Sequence, residues 1–143
     1  MGAARQAPCI CPPLCDKDGD IGVCDNSGMP VSVKFRLRVY RDDTIAIGPG
    51  KVALLEAIHA AGSISGAARR LGMSYRRAWL LLDELNGALA QPAVVTAAGG
   101  AHGGGARLTE VGVQIIAAYR GAEAHAAQAA AKELALLQGL LKP

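Results

Sequence analysis

The sequence predicts a mainly α fold with small β elements (α+β), and three observations carry that expectation. Apolar residues recur at helical spacing over most of the chain after residue 50. Short β-branched runs sit at only two places, around residues 31–47 and 94–96. Half of the 143 residues are hydrophobic but only five are aromatic, with Ala and Gly supplying much of the rest, so helices packing through small residues are favoured over a bulky aromatic core. This length suits one compact domain with an extra arm.

Residues 1–29 are rich in Cys, Pro, Gly and Asp, show no periodicity and read as a flexible arm; Met29, before Pro30, is an alternative start. From Val31 the apolar residues Val31, Val33, Phe35, Leu37 and Val39 alternate with polar ones, predicting one half-buried strand with a basic outer face. The turn Arg41-Asp42-Asp43 and the run Thr44–Ile47 complete an N-terminal β-hairpin, and Gly48-Pro49-Gly50 ends it. A first, core helix follows over 51–61, with Val52, Leu55, Ile58 and His59 at helical spacing, and Gly62 stops it. Ser63 and Ser65 offer N-caps for a short helix over 66–71. Gly72 supplies a left-handed turn, and Ser74 caps a third helix over 75–89. Two short helices joined by a glycine turn are a helix-turn-helix.

Residues 92–108 give a short strand, a glycine-dense loop and a second strand, the pattern of a wing. Together these elements predict a winged helix-turn-helix over 30–110. Thr109 opens a last, Ala-rich helix over 111–143, with apolar positions mostly three and four apart. As one helix it would run roughly 45 Å at 1.5 Å per residue, more than one small domain needs, so it is expected to pack against a second copy.

Net charge is only +3, but its distribution is uneven. From Lys34 to Arg77 nine Lys and Arg stand against Asp42, Asp43 and Glu56. Such a cluster fits a polyanion partner or an ordinary solvated face. On a wheel of 3.6 residues per turn, Ala78, Leu81, Leu82, Leu85 and Leu89 form one stripe of the third helix. Ser74, Tyr75, Arg76 and Arg77 project from its N-terminus, where cations oppose the helix dipole unless an anion compensates them. In a helix-turn-helix this end meets base edges in the major groove of double-stranded DNA. Arginine fits guanine bidentately, while Ser74, Tyr75 and the free N–H groups suit phosphates. Ser63, Ser65 and Arg70 on the preceding helix, with His102 and Arg107 on the wing, complete the candidate DNA-binding set. Trp79 is expected to seal the core edge.

Cys9, Cys11, Cys15 and Cys24 have the number but not a familiar spacing for a metal site. The Asp16–Asp20 run imitates the start of a calcium loop, but Ile21 and Ser27 stand where Gly and Glu belong, so calcium is excluded. No apolar run is long enough to span a membrane and no secretory leader opens the chain, so a cytoplasmic location is expected. No nucleophile–base–acid constellation is legible, so neither an enzyme nor a cofactor is expected.

The run GPGKVALLEAIHAAGSISGAARRLGMSYRRAWLLLDELN and the later TAAGGAHGGGARLTEVG resemble the N-terminal DNA-binding domain of ModE-type molybdate-responsive transcription regulators. The specific pieces are GSIS-AA--LGMSY--AW, the glycine-rich wing and Glu84-Leu85-Asn86, and the likeness covers about residues 31–123. LysR-type regulators share the GSIS-like start more distantly. The resemblance implies a winged helix-turn-helix homodimer on a palindromic operator, controlling molybdate uptake and related genes. Full-length members add C-terminal oxyanion-binding domains. No counterpart is expected before Pro143, so a separate sensor protein is a candidate partner. Two alternatives stay open: an oligomerising adaptor, and a metal- or redox-responsive regulator gated by the cysteine arm.

Overall fold

The computed structural model describes residues 21–24, 30–98 and 105–142. The chain divides into two units, residues 35–132 and residues 1–34 with 133–143. The smaller unit holds the antiparallel pair β1 (Ile21–Cys24) and β2 (Pro30–Val33), and most of α5 (Ala131–Gly139). The larger holds β3 (Val39–Arg41), β4 (Thr44–Ile47), α1 (Pro49–Ala61), α2 (Ile64–Arg70), α3 (Tyr75–Ala88), β5 (Val94–Thr96), β6 (Ala106–Leu108) and α4 (Glu110–Ala129). The protein is therefore mixed α/β, with five helices and small antiparallel sheets among the described residues.

In the larger unit, α1 to α3 enclose a core of Leu54, Leu55, Ile58, Ile64, Ala67, Ala78, Leu82 and Leu85, completed by Val94 and Ala106 of the β5–β6 pair and by Ala93 just before β5. Small residues at Ala67 and Ala78, both fully buried, remove side-chain bulk where α2 meets α3. Pro49 at the first turn suits α1, because its missing N–H is one the helix leaves unpaired. Gly62 ends α1 at φ +69, a left-handed conformation that costs glycine little. At the start of α4, a Cβ on Gly112 would stand 2.3 Å from the Ala93 carbonyl oxygen, so only glycine fits that approach.

Four expectations are corrected. The single strand over 31–39 is two strands separated by residues 34–38, because β4 is only four residues long and its ladder reaches no further back than Val39. Pro30–Val33 instead pairs with Ile21–Cys24, which belongs to the stretch read as lacking periodicity. Alternation assigns a face but names no partner, and Val39 ends 45% exposed. His59 is exposed on α1, the inner face being taken by Val52, Leu54, Leu55, Ala57 and Ile58. The last helix is broken at Ala130 into α4 and α5; no Gly or Pro marks the break.

Between the β2 and β3 strands, Leu37 is held by its backbone, whose carbonyl accepts a 2.9 Å hydrogen bond from the buried Tyr119 hydroxyl of α4. Arg120 beside it donates Nε and Nη2 to the two Glu56 oxygens of α1, each at 2.7 Å, and Nη1 to Glu123 at 2.8 Å. Charge-assisted bidentate geometry of this kind locks α4 against α1.

Candidate nucleic-acid interface

The interface starts from the geometry of two helix N-termini. Ser63, half-buried, caps α2 by accepting the Gly66 N–H at 3.0 Å, and Ser74 caps α3 by accepting the Arg77 N–H at 3.2 Å. Between them the chain turns through Leu71 and Gly72, the latter at φ +64. The Met73 N–H reaches the Ala68 carbonyl at 3.0 Å, closing the turn. Ala78, Leu82 and Leu85 hold α3 on the core, and its opposite face is left to solvent.

That outer face carries Tyr75, 54% exposed, then Arg76 and Arg77, both exposed. The first turn of α3 has no acidic residue. Among the described residues, the side chains of Arg69, Arg70, Arg76, Arg77 and Arg107 form no hydrogen bond or ion pair. Two other cations of the basic stretch are already engaged. Arg41 donates to the Ala88 carbonyl at 3.0 Å, and Lys51, only 5% exposed, donates to the Ile45 carbonyl and pairs with Glu84 at 3.3 Å. The structure thus divides the charge cluster into fixed cations and available ones.

The β5–β6 pair is held beside α2 and α3 by specific polar contacts. Asn86 near the end of α3 donates Nδ2 to the Val94 carbonyl and accepts the Ala93 N–H on Oδ1, at 3.2 and 2.8 Å. Thr109 donates its hydroxyl to the Pro92 carbonyl at 2.7 Å while capping α4 through the Gly112 N–H. Ala106 N–H reaches the Gly62 carbonyl at 2.9 Å, tying β6 to the turn between α1 and α2. In register, Val94 faces Leu108, Val95 faces Arg107 and Thr96 faces Ala106. Arg107 is exposed on β6, while His102 lies outside the described residues.

Between α2, α3 and this hairpin runs a groove of about 310 Å³, lined by Ile64, Ser65, Tyr75, Trp79, Thr96, Ala97, Gly105 and Ala106. Ser65 and Tyr75 therefore share this groove with the hairpin residues Thr96, Ala97, Gly105 and Ala106. Trp79 does not seal the core edge: it is 46% exposed, one turn beyond Tyr75 on the groove wall. Thr96 joins the wall unforeseen. Its only signal was its place at the end of the strand.

Away from this face, burial first, then the Glu123 charge, pushes the Tyr119 hydroxyl above its ordinary value of 10.0. Hydrogen bonds to Glu56, then Glu123, hold Arg120 more firmly protonated than usual. For the cysteine proposal, Cys9, Cys11 and Cys15 lie outside the described residues, and only the backbone of Cys24, in β1, is described. No cluster of three His, Cys, Asp or Glu suited to a metal occurs among the described residues. Nor is any described helix long and apolar enough to cross a membrane.

No family model matches the chain. Curated relatives do. It is 50% identical over 82 residues to the molybdenum-pterin-binding protein MopB of Rhodobacter capsulatus, covering 57% of this chain and 30% of that protein. It is 41% identical over 94 residues to the molybdenum transport protein ModE of Azotobacter vinelandii, covering 64% and 35%. It is 35% identical over 89 residues to the DNA-binding transcriptional dual regulator ModE of Escherichia coli K12, covering 62% and 32%. Among solved structures, ArgP from Mycobacterium tuberculosis aligns over 62% of this chain and 30% of its own, at 23% identity and a TM-score of 0.41. The chain spans about a third of the length of the curated relatives it matches, and those relatives are ModE and Mop proteins.

Proposed function

We propose that this chain is a dimeric, sequence-specific DNA-binding transcription regulator of the winged helix-turn-helix type, acting on genes for molybdate uptake or molybdoenzymes. In this reading α2 and α3 are the helix-turn-helix, α3 enters the major groove, and β5–β6 is the wing. The observation that carries it is the outer end of α3. Arg76 and Arg77 are exposed and unpaired among the described residues, at the end of a helix whose dipole disfavours cations. A DNA phosphate or base acceptor supplies the missing negative partner. The ModE relatives, one of them named a DNA-binding regulator, support the same assignment and its link to molybdenum.

The exposed Leu136, Leu137, Leu140 and Leu141 give the homodimer a surface that a second copy would cover. Neither a cofactor nor catalysis is part of the assignment. Selection of genomic fragments retained by the chain at low salt, with and without molybdate, tests it. Enrichment of a palindromic sequence is the expected result. Fragments retained no better than input would overturn the proposal, and a stable dimer lacking duplex affinity would favour an adaptor instead.

A further inference from the structure

The groove beside α3 has a chemistry of its own. Four side chains on its walls can donate hydrogen bonds: Ser65 from α2, Tyr75 and Trp79 from α3, and Thr96 from β5. None of these four makes a side-chain hydrogen bond to another described residue. No carboxylate lines the groove, and the hairpin wall is made of Ala97, Gly105 and Ala106, small enough for close approach. A surface rich in uncommitted donors and free of anions suits a ligand that presents acceptors and negative charge along its length.

We infer that this groove holds one sugar–phosphate strand of the DNA duplex, with Trp79 in direct contact with it. The inference rests on the reading of α3 and β5–β6 as the two DNA-binding elements. If α3 lies in the major groove and the hairpin lies along the neighbouring minor groove, a single backbone strand separates them. That strand then crosses the space between the two elements, which is this groove. Ser65, Tyr75 and Thr96 hydroxyls and the Trp79 indole N–H donate to phosphate oxygens, and the indole face packs on deoxyribose. Trp79 thereby becomes a DNA-contact residue through a neutral donor. Its contribution adds affinity without releasing counterions, so it leaves the salt dependence unchanged, unlike that of an arginine.

The test uses the full chain and an end-labelled mixed-sequence duplex of roughly 30 bp, about three helical turns. Label anisotropy reports binding, and acrylamide quenching reports access to Trp79, the only tryptophan in the sequence. Binding accompanied by loss of acrylamide quenching is expected. Trp79→Phe, with an unchanged melting temperature, is expected to weaken binding roughly 3–10-fold while keeping the slope of log affinity against log salt. Duplex binding with Trp79 as quenchable as in the free protein would overturn the groove assignment and leave the proposed function standing. Duplex binding by Trp79→Phe at full affinity would do the same. No anisotropy change at any salt would overturn both together.

Discussion

Arg120 on α4 meets Glu56 through two nitrogens and Glu123 through a third, whereas Arg76 and Arg77 on α3 meet no carboxylate among the described residues. The residue type is the same and the surroundings are opposite. At the α1–α4 seam the guanidinium exchanges water for fixed carboxylate oxygens, and what it gains is position. At the outer end of α3 the guanidinium groups keep their hydration and face an unfavourable dipole, which leaves their charge free for a ligand. Comparing the two regions teaches that net charge is a poor guide to a binding face. What matters is which cations the fold has already neutralised.

The largest effect should come from emptying the outer end of α3. Replacing Arg76 and Arg77 together by alanine is expected to lower duplex affinity about 100-fold, each arginine supplying a contact worth about 1–3 kcal/mol. The melting temperature should hold or rise slightly, since two cations leave a helix N-terminus. Fluorescence anisotropy beside thermal melts reads both quantities. At the seam the signs reverse. Arg120→Leu should cost about 1–2 kcal/mol of stability in urea unfolding, screened because the pair is one-third exposed, with duplex affinity unchanged.

A smaller effect belongs to Ser74, whose hydroxyl caps α3 without contributing charge. Ser74→Ala should lose about 1 kcal/mol in the same unfolding experiment, and Ser74→Asp should restore the cap while adding a negative charge beside the arginines. Weaker duplex binding by Ser74→Asp, despite recovered stability, would sharpen the view that this end awaits an anion. The smallest effect concerns pH at the seam. Tyr119 titrates higher in the folded chain than its ordinary 10.0, so its contribution to stability is complete below that value and is lost as pH rises through the folded pKa. Melts taken from about pH 8 to 11 should show this alkaline loss, and Tyr119→Phe should flatten it.

Local chemistry made the middle of the chain readable. Ser63, Gly72, Ser74 and Thr109 each announce a cap or turn through their own side chain or lack of one, and the structure uses them so. The apolar stripe of α3 was equally plain, since Ala78, Leu82 and Leu85 fall on one face and are buried there. Long-range choices were not readable. Nothing in the alternation of 31–39 says that Pro30–Val33 pairs with Ile21–Cys24, nor does an Ala-rich repeat reveal a break at Ala130. Trp79 was misplaced for a related reason: the groove it lines is completed by Thr96, Ala97, Gly105 and Ala106, whose approach to α3 no local spacing reveals. Likewise the basic cluster could not be divided by spacing alone, because Lys51 is neutralised by Glu84, 33 residues along the chain.

The contrast between the two arginine sites is tested most directly by the salt dependence of duplex affinity for three proteins: the unaltered chain, the Arg76→Ala/Arg77→Ala variant and Arg120→Leu. Each arginine that neutralises a phosphate adds about 0.9 to the slope of log affinity against log salt. The account predicts a shallower slope and weaker binding for the α3 variant, with Arg120→Leu matching the unaltered chain. Equal slopes and affinities for all three proteins would contradict it.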